Sequence, residues 1–410
     1  MISAREQLES LLRETPPAAR IRQEAAFDEA ALGRHRIVVF GAGRLGRMVF
    51  QGLAGTDLDV VAFADNNPRT WGTMACGIPV LSPADAARKH SHDAAFVVAV
   101  WHPTQSHLIS ALLTQLQALA CCAVSFPLLF WRHARTFLPY FFWDTPERLL
   151  QQSNEIAHAF DILDDELSRA AFVAQIQLRL LADFDCCGVP CPDEQYFPGL
   201  FSLNPDECFI DCGAYTGDTI RALLSLTDGR FRKVIAFEAD PAVMPDLLAF
   251  RNGTDSRVVI HNAAVAAHNG VVHFSGDGIG GGCIAFSSGI EVPCVRLDDI
   301  LADETVSYIK MDIEGAELQA LEGAHRVIWR DRPLLAVCGY HKPDHLWQVP
   351  VSLQSLAPDS ALFLRAHCVD GLDSVYYSVP PERQIQPAAQ PSRQSIRPAQ
   401  YFSHAQGSSS

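Results

Sequence analysis

The sequence predicts a mixed α/β protein with two separate parallel sheets joined by a helical connector. Three observations carry this. Two stretches of the chain alternate short β-branched, apolar runs with helical periodicity, the pattern of a parallel sheet covered by helices on both faces. In each stretch the first strand runs straight into a glycine turn that opens a helix: RIVVFGAGRLG at 36–46 and CFIDCGAYTGD at 208–218. Between them, residues 126–195 switch to helical spacing. At 410 residues the chain is long enough for two cores, and its 48% apolar content can fill them.

Taken in order, residues 1–30 read as two helices separated at Pro16–Pro17. A first Rossmann-like lobe spans 31–125, with strands at 36–40, 59–65, 78–83 and 94–100 and the helix PADAARKH between the last two. The connector, 126–195, opens with FPLLFWRHARTFLPYFFW, whose Phe137, Tyr140, Phe141, Phe142 and Trp143 are expected to form core joining the lobes rather than an interface. Thr145 ahead of Pro146, and Asp164 or Asp165 ahead of ELSRAAF, are helix-start signals. A second lobe spans 196–380, with strands at 208–214, 233–240, 257–265, 307–315 and 333–342. It ends in ALFLRAHCV and SVYYSV, which the short turn DGLD (370–373) joins as an antiparallel hairpin. Residues 381–410 are rich in Pro, Gln and Ser and read as a disordered tail.

The formal net charge is −15, concentrated in the middle of the chain, since residues 1–50 and 381–410 are mildly basic. That balance argues against nucleic acid and anionic membranes, which are met by clustered Lys and Arg. The purest apolar run, 94–101, is far shorter than the roughly 20 residues of a spanning helix. Charges through the first ten residues do not fit a secretion signal, so a cytoplasmic protein is expected, with its twelve cysteines reduced. CCGVPC (186–191) lacks a CxxC pair and a second ligand cluster, so no metal site is assigned. The expected partner is a small molecule, and self-association is left open.

In the second lobe, Asp211 closes the first strand, and Gly213 and Gly217 let backbone approach a ligand ahead of the helix that Asp218 opens. Glu238 closes the next strand, where a carboxylate can accept hydrogen bonds from both hydroxyls of a ribose. The loop has no third fingerprint glycine and no GK[ST], which disfavours a pyrophosphate or triphosphate. Further on, Lys310, Asp312 and Glu314 alternate with Ile309, Met311 and Ile313, so the three polar residues project to one side.

The order FIDCGAYTGDTI, FEADP, VRLDDIL, YIKMDIEGAELQALEGA, GYHKPDHLW resembles the FkbM-type family of S-adenosylmethionine-dependent methyltransferases over roughly 196–380. KMDIEGAE is its most specific piece. The resemblance implies a class I methyltransferase fold, a seven-stranded sheet with its last strand antiparallel, and methyl transfer, usually to oxygen on a sugar, polyketide or related small molecule. It implies S-adenosylmethionine contacts by Asp211, Gly213, Tyr215, Gly217 and Asp218 at the methionine part, Glu238 at the ribose, and Asn262 and Ala263 at the adenine. Displacement at a methyl group needs alignment and, for an alcohol, a base. Asp312 and His341 are the candidate bases or acceptor positioners, Lys310 and Glu314 are grouped with them as catalytic candidates, and Glu314 and Glu317 line the site. The alternative for Lys310 is an ion pair with Asp312 or Glu314, and for Glu317 a helix-start charge. Mg²⁺ on the clustered carboxylates is conceivable but not favoured.

In the first lobe GAGRLG matches G-x-G-x-x-G through Gly41, Gly43 and Gly46, with Asp65 closing the next strand 24 residues after Gly41. This fits NAD(P) or a nucleotide sugar. WHPTQSH (101–107) supplies His102 but no dehydrogenase constellation. The leading expectation is an O-methyltransferase for a sugar, nucleotide sugar or similar polar acceptor. A dehydrogenase, or a nucleotide-binding protein whose second lobe is a non-catalytic scaffold, remains the alternative.

Overall fold

The computed structural model describes residues 2–101, 108–252, 255–275, 283–285 and 289–385. The first sheet holds β1 (Arg36–Phe40), β2 (Asp59–Ala64), β3 (Met74–Ala75), β4 (Ile78–Leu81), β5 (Ala94–Val98) and β6 (Cys122–Ser125) in the order β3-β4-β2-β1-β5-β6. All its pairings are parallel except β3 with β4. β1 and β5 are buried on both faces, which is why they read as unbroken apolar runs. The two short strands β3 and β6 carry too little pattern to be read from sequence.

The second sheet holds β7 (Cys208–Cys212), β8 (Lys233–Glu238) and β9 (Val258–Asn262). After an excursion into a second layer, built from β10 (Ala264–Val265), β11 (Gly270–Ser275), β12 (Cys283–Ala285) and β13 (Ile290–Val295), it resumes with β14 (Tyr308–Met311), β15 (Leu334–Cys338), β16 (Ala361–Ala366) and β17 (Ser374–Val379). The order is β16-β17-β15-β14-β7-β8-β9. The five strands β15-β14-β7-β8-β9 pair in parallel, and β17 runs antiparallel between β15 and β16. This is the expected seven-stranded, doubly wound sheet with the expected terminal hairpin. The excursion corrects the single strand expected at 257–265: the chain leaves the sheet after Asn262 and forms a small sheet, β10-β13-β11-β12. Of its strands, β11 and β13 mix exposed and buried positions, so they lack a continuous apolar signature.

The connector folds as helices, among them Pro146–Leu150, capped by Thr145, and Glu166–Leu181, capped by Asp165. Its aromatic stretch is core, as expected: Phe130 stacks on Phe137 at 4.6 Å and Trp101 meets Phe142 edge-on at 5.2 Å. One apolar cluster runs from Phe40 in the first sheet through Phe142 and Trp143 to Phe209 and Tyr377 in the second. Residues 381–385, expected to open the disordered tail, instead pack on the second lobe. Buried Arg383 bonds Glu207 and the Ser202 carbonyl, and the Ile385 amide donates to the Leu200 carbonyl at 3.0 Å. Residues 386–410, and His102, lie outside the described residues. Among the described residues no helix is long and apolar enough to cross a membrane.

Candidate active site

In the second sheet β7 is the switch strand, with β8 on one side and β14 on the other. Ligands of open α/β sheets bind outside the carboxyl ends of the strands at such a point. A cavity of about 230 Å³ lies there. Its position depends on Gly213, which has φ +83°; a Cβ on this residue would stand 1.9 Å from the Asp312 carbonyl oxygen, so only glycine lets β7 and β14 end this close together. Beneath the turn, Lys310 and Asp211, both fully shielded, meet at 3.0 Å, and the ammonium also donates to the Gly213 carbonyl at 2.5 Å. Burial pushes the Asp211 carboxyl up to about 6 against the pull of Lys310. Lys310 therefore pairs with Asp211, not with Asp312 or Glu314.

Glu238 is 8% exposed on the far side of the cavity. Its Oε2 accepts the Tyr215 amide and its Oε1 the Asp240 amide, both at 2.8 Å. These bonds fix the carboxylate while each oxygen keeps a lone pair for a ligand hydroxyl. Burial raises its pKa and the two amides oppose that shift. Phe237, Val243, Ala263 and Phe274 give this end of the cavity an apolar wall.

At the other end Asp312 accepts the Tyr196 hydroxyl at 2.6 Å, and the Gln195 amide donates to the same hydroxyl at 3.0 Å. His341 Nε2 stands 3.3 Å from Asp312 and 3.8 Å from Glu314, while its Nδ1 meets Glu317 at 2.8 Å. His345 approaches the second Glu317 oxygen at 3.1 Å. Burial alone would favour neutral groups here. Instead Glu317 and Glu314 hold His341 well above its ordinary value, while the imidazole and Lys310 hold Asp312 well below its own. His341 is thus an imidazolium sandwiched between carboxylates, unable to take a proton. Asp373 from the β16–β17 turn also faces the cavity, and burial together with the Asp312 charge pushes its carboxyl up to about 6. Four non-glycine residues lining the cavity, Tyr196, Tyr215, Glu314 and Asp373, have φ between +45° and +71°. Such costly conformations gather where surrounding structure holds a functional geometry.

Of the residues singled out from sequence, Gly213, Tyr215, Asp218, Glu238, Ala263, Lys310, Asp312 and Glu314 line the cavity. Asp211, Gly217, Asn262, His341 and Glu317 do not. Asp211 lies under the turn; Gly217, with φ +83°, packs against Phe250; the Asn262 amide bonds the Glu238 carbonyl at 2.9 Å; His341 and Glu317 form the buried pair behind Asp312. Glu317 turns to the two histidines, and Asp312 and Glu314 face the same His341 ring. Among the described residues no group of His, Cys, Asp or Glu is arranged to hold a metal. Sequence reasoning missed Tyr196, Tyr340, Asp373 and Phe274 on the cavity wall. Tyr340 adjoins His341 in a quoted motif and Asp373 closes the predicted hairpin turn; Tyr196 and Phe274 carry no local signal.

In the first lobe Gly41, Gly43 and Asp65 border a second cavity, of about 360 Å³, at the ends of β1, β2 and β5. Gly46 is not on its wall; it serves helix packing, since a Cβ there would meet the Gly41 carbonyl at 1.9 Å. Asp65 accepts the Ala42 and Asn67 amides, each at 2.8 Å, repeating the arrangement of Glu238.

Comparison with known proteins agrees with this geometry. Residues 211–366 match the family model of the methyltransferase FkbM domain. The fold is that of the crystal structure of methyltransferase FkbM from Methylobacillus flagellatus KT, with a TM-score of 0.72 at 22% identity over 92% of this chain and 98% of that one. A precorrin-6y C5,15-methyltransferase from Geobacter metallireducens GS-15 aligns over 43% of this chain and 80% of its own, with a TM-score of 0.29 at 10% identity. No curated protein matches the chain. Residues 211–366 thus form a domain that matches the methyltransferase FkbM family model, within a chain whose fold is that of an FkbM methyltransferase.

Proposed function

We propose that this protein transfers a methyl group from S-adenosylmethionine to a hydroxyl of a small polar acceptor, of the sugar or nucleotide-sugar class. The observation that carries the reading is the cavity at the switch strand, bounded by the buried, amide-fixed Glu238 at one end and by Asp312 at the other. The residues fit the cofactor. Glu238 suits a ribose diol, Phe237, Val243 and Phe274 suit a purine, and the carboxylates Asp218, Asp312 and Glu314 on the cavity wall suit the charge of an ammonium and a sulfonium. Bound S-adenosylmethionine would supply an electrophilic methyl group. The chain's own residues then orient the acceptor: Asp312 and Tyr196 offer hydrogen bonds to its hydroxyls, and His341 keeps Asp312 charged and in place. Asp373, whose carboxyl burial raises to about 6, is the group suited to take the hydroxyl proton.

Calorimetry tests the cofactor site. S-adenosylmethionine and S-adenosylhomocysteine are expected to bind the wild type, and Glu238→Ala to weaken both at least tenfold; unchanged affinity would place the cofactor elsewhere. Transfer of labelled methyl to a panel of sugars and nucleotide sugars then separates an enzyme from a binding scaffold. For the first lobe, the open space around Gly43, where a Cβ would touch nothing within 4 Å, and the fixed Asp65 support a bound NAD(P) or nucleotide sugar. Thermal shift with each compound tests that assignment.

A further inference from the structure

A cavity of about 470 Å³ lies between the connector and the helix His345–Leu356 that follows β15, apart from both sheet crevices. Phe142, Arg148, Leu149, Arg179, Trp347 and Gln348 are among its walls. Arg179 is 2% exposed near the end of the helix Glu166–Leu181. Its Nη1 donates to the Pro343 carbonyl at 3.1 Å, and the guanidinium lies over the Phe142 ring at 4.6 Å. Nε and Nη2 are buried without a hydrogen-bond partner, and so is the indole Nε1 of Trp347, a residue 4% exposed.

Buried polar atoms are nearly always bonded, and a shielded cation left without an anion is among the most costly arrangements in a protein interior. The nearby carboxylates do not provide that anion. Asp144 accepts the Thr145 amide at 2.7 Å and pairs with Arg148 at 3.2 Å. Asp344 acts on Arg179 only through its field, and burial draws the guanidinium down to about 9. Nε and Nη2 share one edge of the planar group, the edge that takes two oxygens of one carboxylate or phosphate.

We infer that this cavity binds a small organic anion, its carboxylate or phosphate held by the free edge of Arg179 and the indole N–H of Trp347, with its apolar part against Phe142 and Leu149. The site lies beyond the methyl-transfer reading and its test needs no turnover. Thermal unfolding and calorimetry of the full chain, with sodium phosphate or sodium acetate against sodium chloride at equal ionic strength, read it directly. At least one of the two anions is expected to raise the melting temperature saturably above the chloride control, phosphate marking a phosphoryl ligand and acetate a carboxylate. Arg179→Met should lower that affinity at least tenfold, and Trp347→Phe, which keeps the bulk and removes the N–H, several-fold. The inference fails if neither anion exceeds chloride, or if a folded variant responds as the wild type does. Should Arg179→Met not fold, Trp347→Phe alone decides.

Discussion

Replacing Gly213 by alanine sets one added carbon against two backbones. The residue has φ +83°, and the new Cβ would stand 1.9 Å from the Asp312 carbonyl oxygen and within 3.3 Å of the Ile313 side chain. The left-handed conformation costs an L-residue ~1–2 kcal/mol. Relief of the clash must move the end of β7 away from β14, and forced shifts of this kind cost ~1–3 kcal/mol more. A loss of about 2–5 kcal/mol lowers the melting temperature by roughly 2–4 °C per kcal/mol in a domain of this size. The same displacement drags the Gly213 carbonyl from Lys310, and the Tyr215 amide from Glu238, so S-adenosylmethionine binding should fall together with stability. Urea unfolding and calorimetry on one preparation measure both. Gly43→Ala is the control, because its Cβ would meet nothing within 4 Å and its φ is −77°, so its stability should be unchanged or slightly raised. A Gly213→Ala protein as stable as the wild type would refute the close approach of the two strands.

The buried Glu317–His341 pair gives a pH signature. Glu317 lies well below its ordinary 4.5, so its contribution is present above that pH and is lost as the pH falls through the lowered value. His341 lies well above 6.5, so its contribution is full below 6.5 and drains away as the pH climbs toward the raised value. Glu317→Gln should cost ~3–5 kcal/mol between about 4.5 and 6.5, and should flatten the decline in stability above 6.5; urea midpoints from pH 5 to 9 giving parallel curves for the two proteins would contradict the pairing. Asp373 offers a kinetic test once an acceptor is in hand. Methyl transfer should rise with pH through about 6 as the carboxylate forms, and Asp373→Asn should slow it ~10²–10⁴-fold and abolish that inflection. An inflection retained in the variant excludes Asp373 as the base.

Much of the architecture is local and therefore legible. A strand that ends in a glycine turn and opens a helix is written within a dozen residues, so both sheets, their crevices and the acids Asp65 and Glu238 are visible in the chain. Alternation along Ile309–Ile313 places Lys310 and Asp312 on one side of β14 before any coordinates are known. DGLD marks the hairpin that carries Asp373.

Partnership is what only the tertiary structure decided. Lys310 meets Asp211, not its sequence neighbours, because adjacent parallel strands put residues about 100 positions apart side by side, with Lys310 opposite Asp211 in the β7–β14 register. His341, a base by residue type, becomes an imidazolium because folding seats Glu317 and Asp312 on its two nitrogens and buries the imidazole and Glu317 away from water. Tyr196 reaches Asp312 from outside the matched family domain, and Phe274 reaches the cavity from a small sheet with no clear signature of its own. Periodicity reports which face of an element is apolar; it carries no record of which distant side chain will share a low-dielectric pocket, and that sharing sets the charges on which the chemistry depends.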